Sequence, residues 1–195
     1  MEDIIRFFDS HAQKWDSYWK EEEFLIMRKI LERSGMEKED AVLDIACGTG
    51  ILVPFFQEFG ISPSCIQGID ISPKMVEVFS HKFPQISVLC ADFITAPLPP
   101  AAYSYAIIFN SFPHFLEPEQ VFAKVSQVLK PQGKLVIAHT KTMEAIDQHH
   151  RHSGAVVRSH RLIEDDLFSQ YYKKYGFTDI TLDNSLYFYS RGVKK

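Results

Sequence analysis

Basic charge is scarce in this chain. Its 195 residues carry 21 Lys and Arg against 25 Asp and Glu, a net charge of −4. That balance excludes broad nucleic-acid binding, which needs a basic face. Cysteine is scarcer still. Cys47, Cys65 and Cys90 are too few and too scattered for a disulfide framework or a zinc site. They read as small buried residues in strands or turns, which suits a reducing cytoplasm. No stretch approaches the roughly 18 apolar residues of a membrane span. The N-terminus, MEDIIRFFDS, is acidic and has no long apolar run, so it does not read as a signal peptide. A hydrophobic fraction of 46% over this length is enough for one domain with a sizeable core. Internal repeats, low-complexity segments and interdomain linkers are absent from the sequence.

What is present is an alternation of short apolar strands and helices. Residues 2–33 have helical spacing, with Phe7, Phe8, His11, Trp15, Tyr18 and Trp19 on the first part and Phe24–Leu31 on the second. Gly35 is a helix stop. Strands are expected at 41–46, 65–70, 86–92, 104–110 and 134–139. The helices between them are expected at 51–59, 73–82 and 118–130. Continuous apolar strands separated by helices imply a parallel sheet covered on both faces. After strand five come helices at 143–152 and 163–175. Two strands then follow, FTDITLD and SLYFYSR, around an Asn184-Ser185 turn. Two strands that close cannot both be parallel, so one runs antiparallel at the sheet edge.

The stretch VLDIACGTGIL, Val42 to Leu52, carries the chemistry. A strand runs into a tight Gly48-Thr49-Gly50 turn and then a helix. The dinucleotide fingerprint G-x-G-x-x-G needs a third glycine, and Val53 stands in its place. Ligands of open α/β sheets bind outside the carboxyl ends of the strands. Successive strand ends offer Asp44, Asp70, Asp92 and Asn110. Asp70 lies twenty residues after Gly50, the place of a ribose-binding acid. Three carboxylates repel a pyrophosphate and suit a nucleoside that carries positive charge. S-adenosylmethionine, with a sulfonium, an ammonium and no phosphate, is such a molecule. The glycines let the backbone approach it closely.

On these motifs the chain resembles the class I S-adenosylmethionine-dependent methyltransferases. VLDIACGTG corresponds to the first family motif, with Ala46 where many members carry glycine. IQGIDISPKMVEVF corresponds to the second, CADFITAPLP to the third and YAIIFNSFPHF to the fourth. VSQVLKPQGKLVIAH matches the family's helix, turn and fifth strand. RFFDSHAQKWDSYW is similar to the lid helix of small-molecule and quinone-type members. The resemblance implies cofactor contacts from Asp44, Ala46, Cys47, Gly48, Gly50, Asp70, Ile71, Met75, Asp92, Phe93 and Asn110. In it Asp70 takes the ribose, Asp92 and Phe93 flank the adenine, and Asn110 backs the methionine end. A helix N-cap role for Ser72 is compatible with this.

NSFPHF, residues 110–115, lacks the double proline of the nucleic-acid amino-methyltransferase motif. His114 is the first candidate for a general base and His149 the second, needed only if the acceptor must lose a proton. Five of the eight histidines, His139, His149, His150, His152 and His160, lie in 139–160. No tight pair with a completing carboxylate makes a metal site of them. They read as a substrate-side element or a solvated helix. The N-terminal aromatics read either as core packing or as a lid that excludes water and shields a sulfonium.

The expected fold is α/β: a Rossmann-like, seven-stranded, mostly parallel sheet with helices on both faces, one antiparallel edge strand and an N-terminal helical lid. Residues 1–35 form the lid, 36–140 the cofactor-binding core and 141–195 a substrate-side helix and terminal strands of a single domain. The expected activity is methyl transfer from S-adenosylmethionine to a small-molecule acceptor, leaving S-adenosylhomocysteine. No nucleic acid, membrane or metal enters this reading. The alternative is a non-catalytic or partner-dependent S-adenosylmethionine-binding protein. A Rossmann dehydrogenase using NAD is disfavoured by the missing glycine and the carboxylates. The oligomeric state is open, with the strands near Leu182–Tyr189 offering an edge to a second copy.

Overall fold

Strands of four or five residues, largely apolar, build the sheet of the first half of the molecule. The structure, a computed structural model, describes residues 2–152 and 165–195, with the side chains of 149–152 and 165 set aside. The chain divides into two compact units, Met1–Pro97 and Leu98–Lys195. The strands form one seven-stranded, mostly parallel sheet in the order β3-β2-β1-β4-β5-β7-β6, flanked by helices.

The first unit opens with α1 (Glu2–His11), a 3-10 stretch (Ala12–Tyr18) and α2 (Glu21–Ser34). Then follow β1 (Val42–Ile45), α3 (Val53–Glu58), β2 (Ile66–Asp70), α4 (Pro73–Lys82) and β3 (Ser87–Cys90). β1 and β3 flank β2 in parallel, with Ile45 opposite Ile69 and Asp70 opposite Cys90. Val42, Leu43, Ile45 and Ile69 are fully closed to solvent. That is the double-sided burial their predominantly apolar sequence calls for, with Asp44 buried among them.

Local signals set the helix ends. The Ser72 hydroxyl accepts the Met75 amide at 3.1 Å and caps α4, with Pro73 in its first turn. A cap of this kind contributes about 1 kcal/mol. Gly35, at φ +73°, ends α2 in the left-handed conformation.

The second unit contains β4 (Tyr103–Phe109), α5 (Pro118–Val128), β5 (Leu129–Ala138), α6 (Met143–His152), α7 (Asp165–Lys174), β6 (Phe177–Asp183) and β7 (Tyr189–Lys194). β4 and β5 are parallel. β7 is the antiparallel strand and lies between β5 and β6 at the end of the sheet. Aromatic rings fill the space beside it: Phe168 lies 5.1 Å from both Phe112 and Phe188, and Phe122 4.9 Å from Tyr172.

Four details differ from the sequence expectation. The helix over 2–33 is three pieces, with Trp19 extended (φ −76°, ψ 136°) and the Glu23 carboxylate accepting the Lys20 amide where α2 begins. The Pro131–Gly133 turn lies inside β5 as a bulge: the register passes from Tyr103↔Leu129 to Tyr105↔Lys134, and Gln132 has φ +65°. The last strand starts at Tyr189 rather than Ser185, because Asp183 accepts the Ser185 amide and hydroxyl and holds that segment in a turn. Of the cysteines, Cys47 is buried but Cys65 is half-buried and Cys90 exposed. Among the described residues, no helix is long and apolar enough to cross a membrane.

Candidate functional site

The carboxyl ends of β1, β2 and β3 meet at the glycine turn. The Cys47 amide donates to the Ile69 carbonyl at 3.1 Å, and the Ala91 amide to the Asp70 carbonyl at 2.9 Å. The turn reverses direction through three left-handed residues: Ala46 (φ 56°), Gly48 (φ 54°) and Gly50 (φ 85°). Gly50 is needed twice over. A Cβ there would stand 2.7 Å from the Phe83 ring and 2.8 Å from the Phe79 ring. Ala46 holds the same left-handed conformation with a side chain, at a cost in strain.

The amides of this turn are largely committed within the protein. Cys47 donates to Ile69, Gly48 to Asp70, and Gly50 to the Cys47 carbonyl. A phosphate cradle needs such N–H groups directed at the ligand. Here the turn is a shaped backbone surface beside two buried acids.

Those acids are Asp70 and Asp44. Asp70 accepts the Gly48 amide at 2.8 Å on one oxygen and the Ser72 amide at 2.9 Å on the other. Burial raises its pKa, the amides of Ser72, Gly48 and Ile71 pull it down, and the charge of Asp9 raises it. Asp44 is 2% exposed, and its Oδ2 has no hydrogen-bond partner. Burial first, and the charge of Asp70 second, push its pKa up to about 8. The same burial and both carboxylates push the Cys47 thiol up, so it remains protonated and unreactive. An unpartnered buried carboxyl oxygen costs roughly 1–3 kcal/mol, and a cationic ligand or a donor would recover it.

The remaining sequence-read positions of this unit fall around the same strand ends. Ile71 joins Asp70 to the capped start of α4, and Met75 is buried in the first turn of that helix. Asp92 follows β3, and its Oδ1 accepts the Ile94 amide at 2.9 Å. Phe93 is 4% exposed, packed as core.

Two further carboxylates, which motif reading passed over, come from the N-terminal segment. Asp9 accepts the Ser72 hydroxyl at 2.6 Å and the Lys74 amide at 3.1 Å. Asp16 accepts the Thr49 hydroxyl at 2.5 Å on one oxygen and the Lys82 ammonium at 2.6 Å on the other. The two acids thus hold opposite ends of α4. Lys74 and Lys82 are about 12 Å apart along the helix, at 1.5 Å per residue. Seven α-helical residues reach only about 10.5 Å. With the 3-10 rise of about 2.0 Å from Ala12 onward they reach about 13 Å. Trp15 lies over the turn, its Nε1 4.0 Å from where a Cβ of Gly48 would be. The sequence signal was FDSHAQKWD, two aspartates seven apart.

In the second unit Asn110 closes the ends of β4 and β5. It is left-handed (φ 50°), and its amide donates to the Ala138 carbonyl at 2.9 Å. Its side-chain oxygen accepts the Thr140 amide at 2.8 Å, and its Nδ2 donates to the Thr140 hydroxyl at 3.3 Å. Both ends of its amide group therefore serve the strand junction. Phe112–His114 form a 3-10 turn directly after it, with His114 half-buried. His139 is 4% exposed at the end of β5, its amide bonded to the Phe188 carbonyl. The side chains of His149, His150 and His152, and all of His160, lie outside the described residues. Among the described residues no three or more His, Cys, Asp or Glu form a metal-binding group.

Comparison with known proteins bears on this arrangement. The family profile described as "Methyltransferase domain" matches residues 42–133. The O-methyltransferase cnsE of Penicillium expansum is 30% identical over 139 residues, covering 66% of this chain and 50% of that protein. The chain thus spans half the length of this relative. An uncharacterized methyltransferase of Geobacillus is 28% identical over 203 residues, covering 96% and 94%. Among solved structures, a SAM-dependent methyltransferase of Thermotoga maritima superposes with a TM-score of 0.77 at 16% identity, covering 97% of this chain and 99% of that one.

Proposed function

We propose that the chain is a class I S-adenosylmethionine-dependent methyltransferase, a reading supported by the methyltransferase-domain match over residues 42–133 and by the fold, and that it transfers a methyl group from S-adenosylmethionine to a small-molecule acceptor, leaving S-adenosylhomocysteine. The observation that carries this is the buried, unpartnered Asp44 Oδ2 beside Asp70, behind a glycine turn whose Cys47, Gly48 and Gly50 amides are already used. With those three amides taken, the turn is poorly suited to a pyrophosphate, and the acids beside it offer acceptors to hydroxyls and cations. The fit is to a phosphate-free, positively charged nucleoside.

Asp70 would hold the ribose hydroxyls on the lone pairs its two amide bonds leave. Asp44 would answer the positive end of the ligand, and Ala46, Cys47, Gly48 and Gly50 would provide the backbone surface it lies on. Ile71, Met75, Asp92 and Phe93 would border the base. Bound there, S-adenosylmethionine supplies an electrophilic methyl group that an acceptor displaces in line. What the protein adds is chiefly orientation and exclusion of water. Asn110 contributes through the strand junction it clamps. His114, and His149 after it, are the proposed bases for an acceptor that must lose a proton.

Calorimetric titration of the protein with S-adenosylmethionine, S-adenosylhomocysteine and NAD tests the reading. Micromolar binding of the first two, about −8 kcal/mol, and no comparable binding of NAD are expected. Tighter binding of NAD would reverse it. Methyl transfer itself requires that a pool of soluble small molecules yields S-adenosylhomocysteine above background.

A further inference from the structure

On the cofactor reading above, we propose that Asp9 is a positioning residue for the ribose: through Ser72 it fixes the carboxylate of Asp70, and its own charge sets how readily that carboxylate ionises.

The start of α4 joins the two acids. Ser72 is fully buried. Its hydroxyl donates to Asp9 Oδ1 at 2.6 Å and accepts the Met75 amide at 3.1 Å. Its own amide donates to Asp70 Oδ1 at 2.9 Å. Asp9 Oδ1 also accepts the Lys74 amide at 3.1 Å. Pro73 has no amide hydrogen. The amides that a helix start leaves open are thus closed by Ser72 itself and by two carboxylates, one from α1 and one from the end of β2.

With its hydrogen sent to Asp9, the Ser72 hydroxyl turns a lone pair to Met75, so Asp9 fixes the rotor that caps α4. The cap holds the backbone of Ser72, and the Ser72 amide holds one oxygen of Asp70. The Gly48 amide holds the other at 2.8 Å. The lone pairs that Asp70 keeps for ribose hydroxyls are therefore oriented from both sides.

Asp9 acts by charge as well. Burial raises the Asp70 pKa, the Ser72, Gly48 and Ile71 amides lower it, and the charge of Asp9 raises it again. After burial, the charges of Asp70 and Asp9 also raise the thiol of Cys90, which lies opposite Asp70 on β3. The other titratable groups around Asp70 are Asp44 and Cys47 beside the glycine turn, and Lys74 on α4, whose ammonium is 2.7 Å from Glu77. Ribose hydroxyls donate best to an ionised carboxylate, so affinity falls as pH drops through the pKa of Asp70.

The experiment is calorimetric titration of S-adenosylhomocysteine into wild type, Asp9→Asn and Asp9→Ala, from about pH 8 down to about pH 4. Asp9→Asn keeps an oxygen where both bonds are made and removes the charge. It should match the wild type at the upper end, with the acid loss of affinity displaced to lower pH. Asp9→Ala removes bonds and charge together and should weaken binding by about tenfold, the factor of one hydrogen bond to a charged group. In an Asp70→Ala background the same substitution should cost almost nothing further, because it acts through Asp70. Alkylation of Cys90 by iodoacetamide, followed by peptide mass in the unliganded proteins, should be faster in Asp9→Asn. An acid limb that stays in place in Asp9→Asn, or unchanged alkylation of Cys90, would leave Asp9 a helix cap and overturn the proposal. An Asp9→Ala loss of equal size with and without Asp70 would overturn it too. A wild type that binds no S-adenosylhomocysteine fails the cofactor reading itself, and the proposal falls with it; in the other failures the wild type binds.

Discussion

Asp70 and Gly48 are joined by a 2.8 Å hydrogen bond across twenty-two residues of chain. The carboxylate at the end of β2 thereby fixes the turn at the end of β1. The same group also receives the amide of Ser72, where α4 begins. One side chain thus organises three elements.

Asp70→Ala should therefore lose binding of S-adenosylhomocysteine by tenfold to a hundredfold, about 1.5–3 kcal/mol for a charged hydrogen-bonding group. Titration calorimetry measures it. Circular dichroism of the variant separates loss of the ligand contact from loss of the fold.

Asp44 makes stability depend on pH. Its pKa is raised from 3.8 to about 8 by burial and by Asp70. Between these values the folded protein holds a proton that the unfolded chain has lost. Stability from this group is thus fully present below about pH 4 and declines as pH rises towards 8, by at most about 1.4 kcal/mol per unit. Urea denaturation across that range should show the decline, and Asp44→Asn should flatten it. A slope unchanged in Asp44→Asn would remove Asp44 as its source.

The same proton should leave when a cationic ligand group settles beside Asp44. Calorimetry of S-adenosylmethionine binding at pH 7 in buffers of different ionisation enthalpy should report proton release. Equal heats in all buffers would mean that the carboxyl is already ionised, or that the cation binds elsewhere.

Ala46 and Gly50 should respond to substitution in opposite senses. Ala46→Gly relieves a left-handed alanine and should stabilise the protein by roughly 0.5–1 kcal/mol. Gly50→Ala adds a Cβ 2.7 Å from Phe83 at φ +85°, and should destabilise by at least about 2 kcal/mol. Thermal and urea unfolding decide both.

Asn110→Ala loses the clamp to Thr140 and also strains the left-handed backbone, whereas Asn110→Gly loses only the clamp. Alanine should cost more than glycine, by about 1 kcal/mol. Equal costs would mean that the conformation, not the side chain, is free of strain at this place.

Much of the fold was legible because strands buried on both faces leave unbroken apolar runs, and helix starts leave Ser-Pro signals. Ser72-Pro73 located α4 to the residue. The start of β7 was not legible, since SLYF is strand-like by composition and only the Asp183 turn excludes it. Asn110 was read as backing the methionine end of the cofactor, and the bond of its side chain to Thr140, thirty residues on, left no signal in the sequence.

By itself the sequence determined the alternation of strands and helices, the glycine turn and the order of acids along the strand ends, because backbone conformation and burial periodicity are local constraints. Only the tertiary structure decided the protonation of Asp44, which depends on burial and the charge of Asp70. It also decided the partners of Asp9 and Asp16. Those aspartates meet Ser72, Thr49 and Lys82 more than thirty residues away, and hydrogen bonds and electrostatic fields act through space, not along the chain.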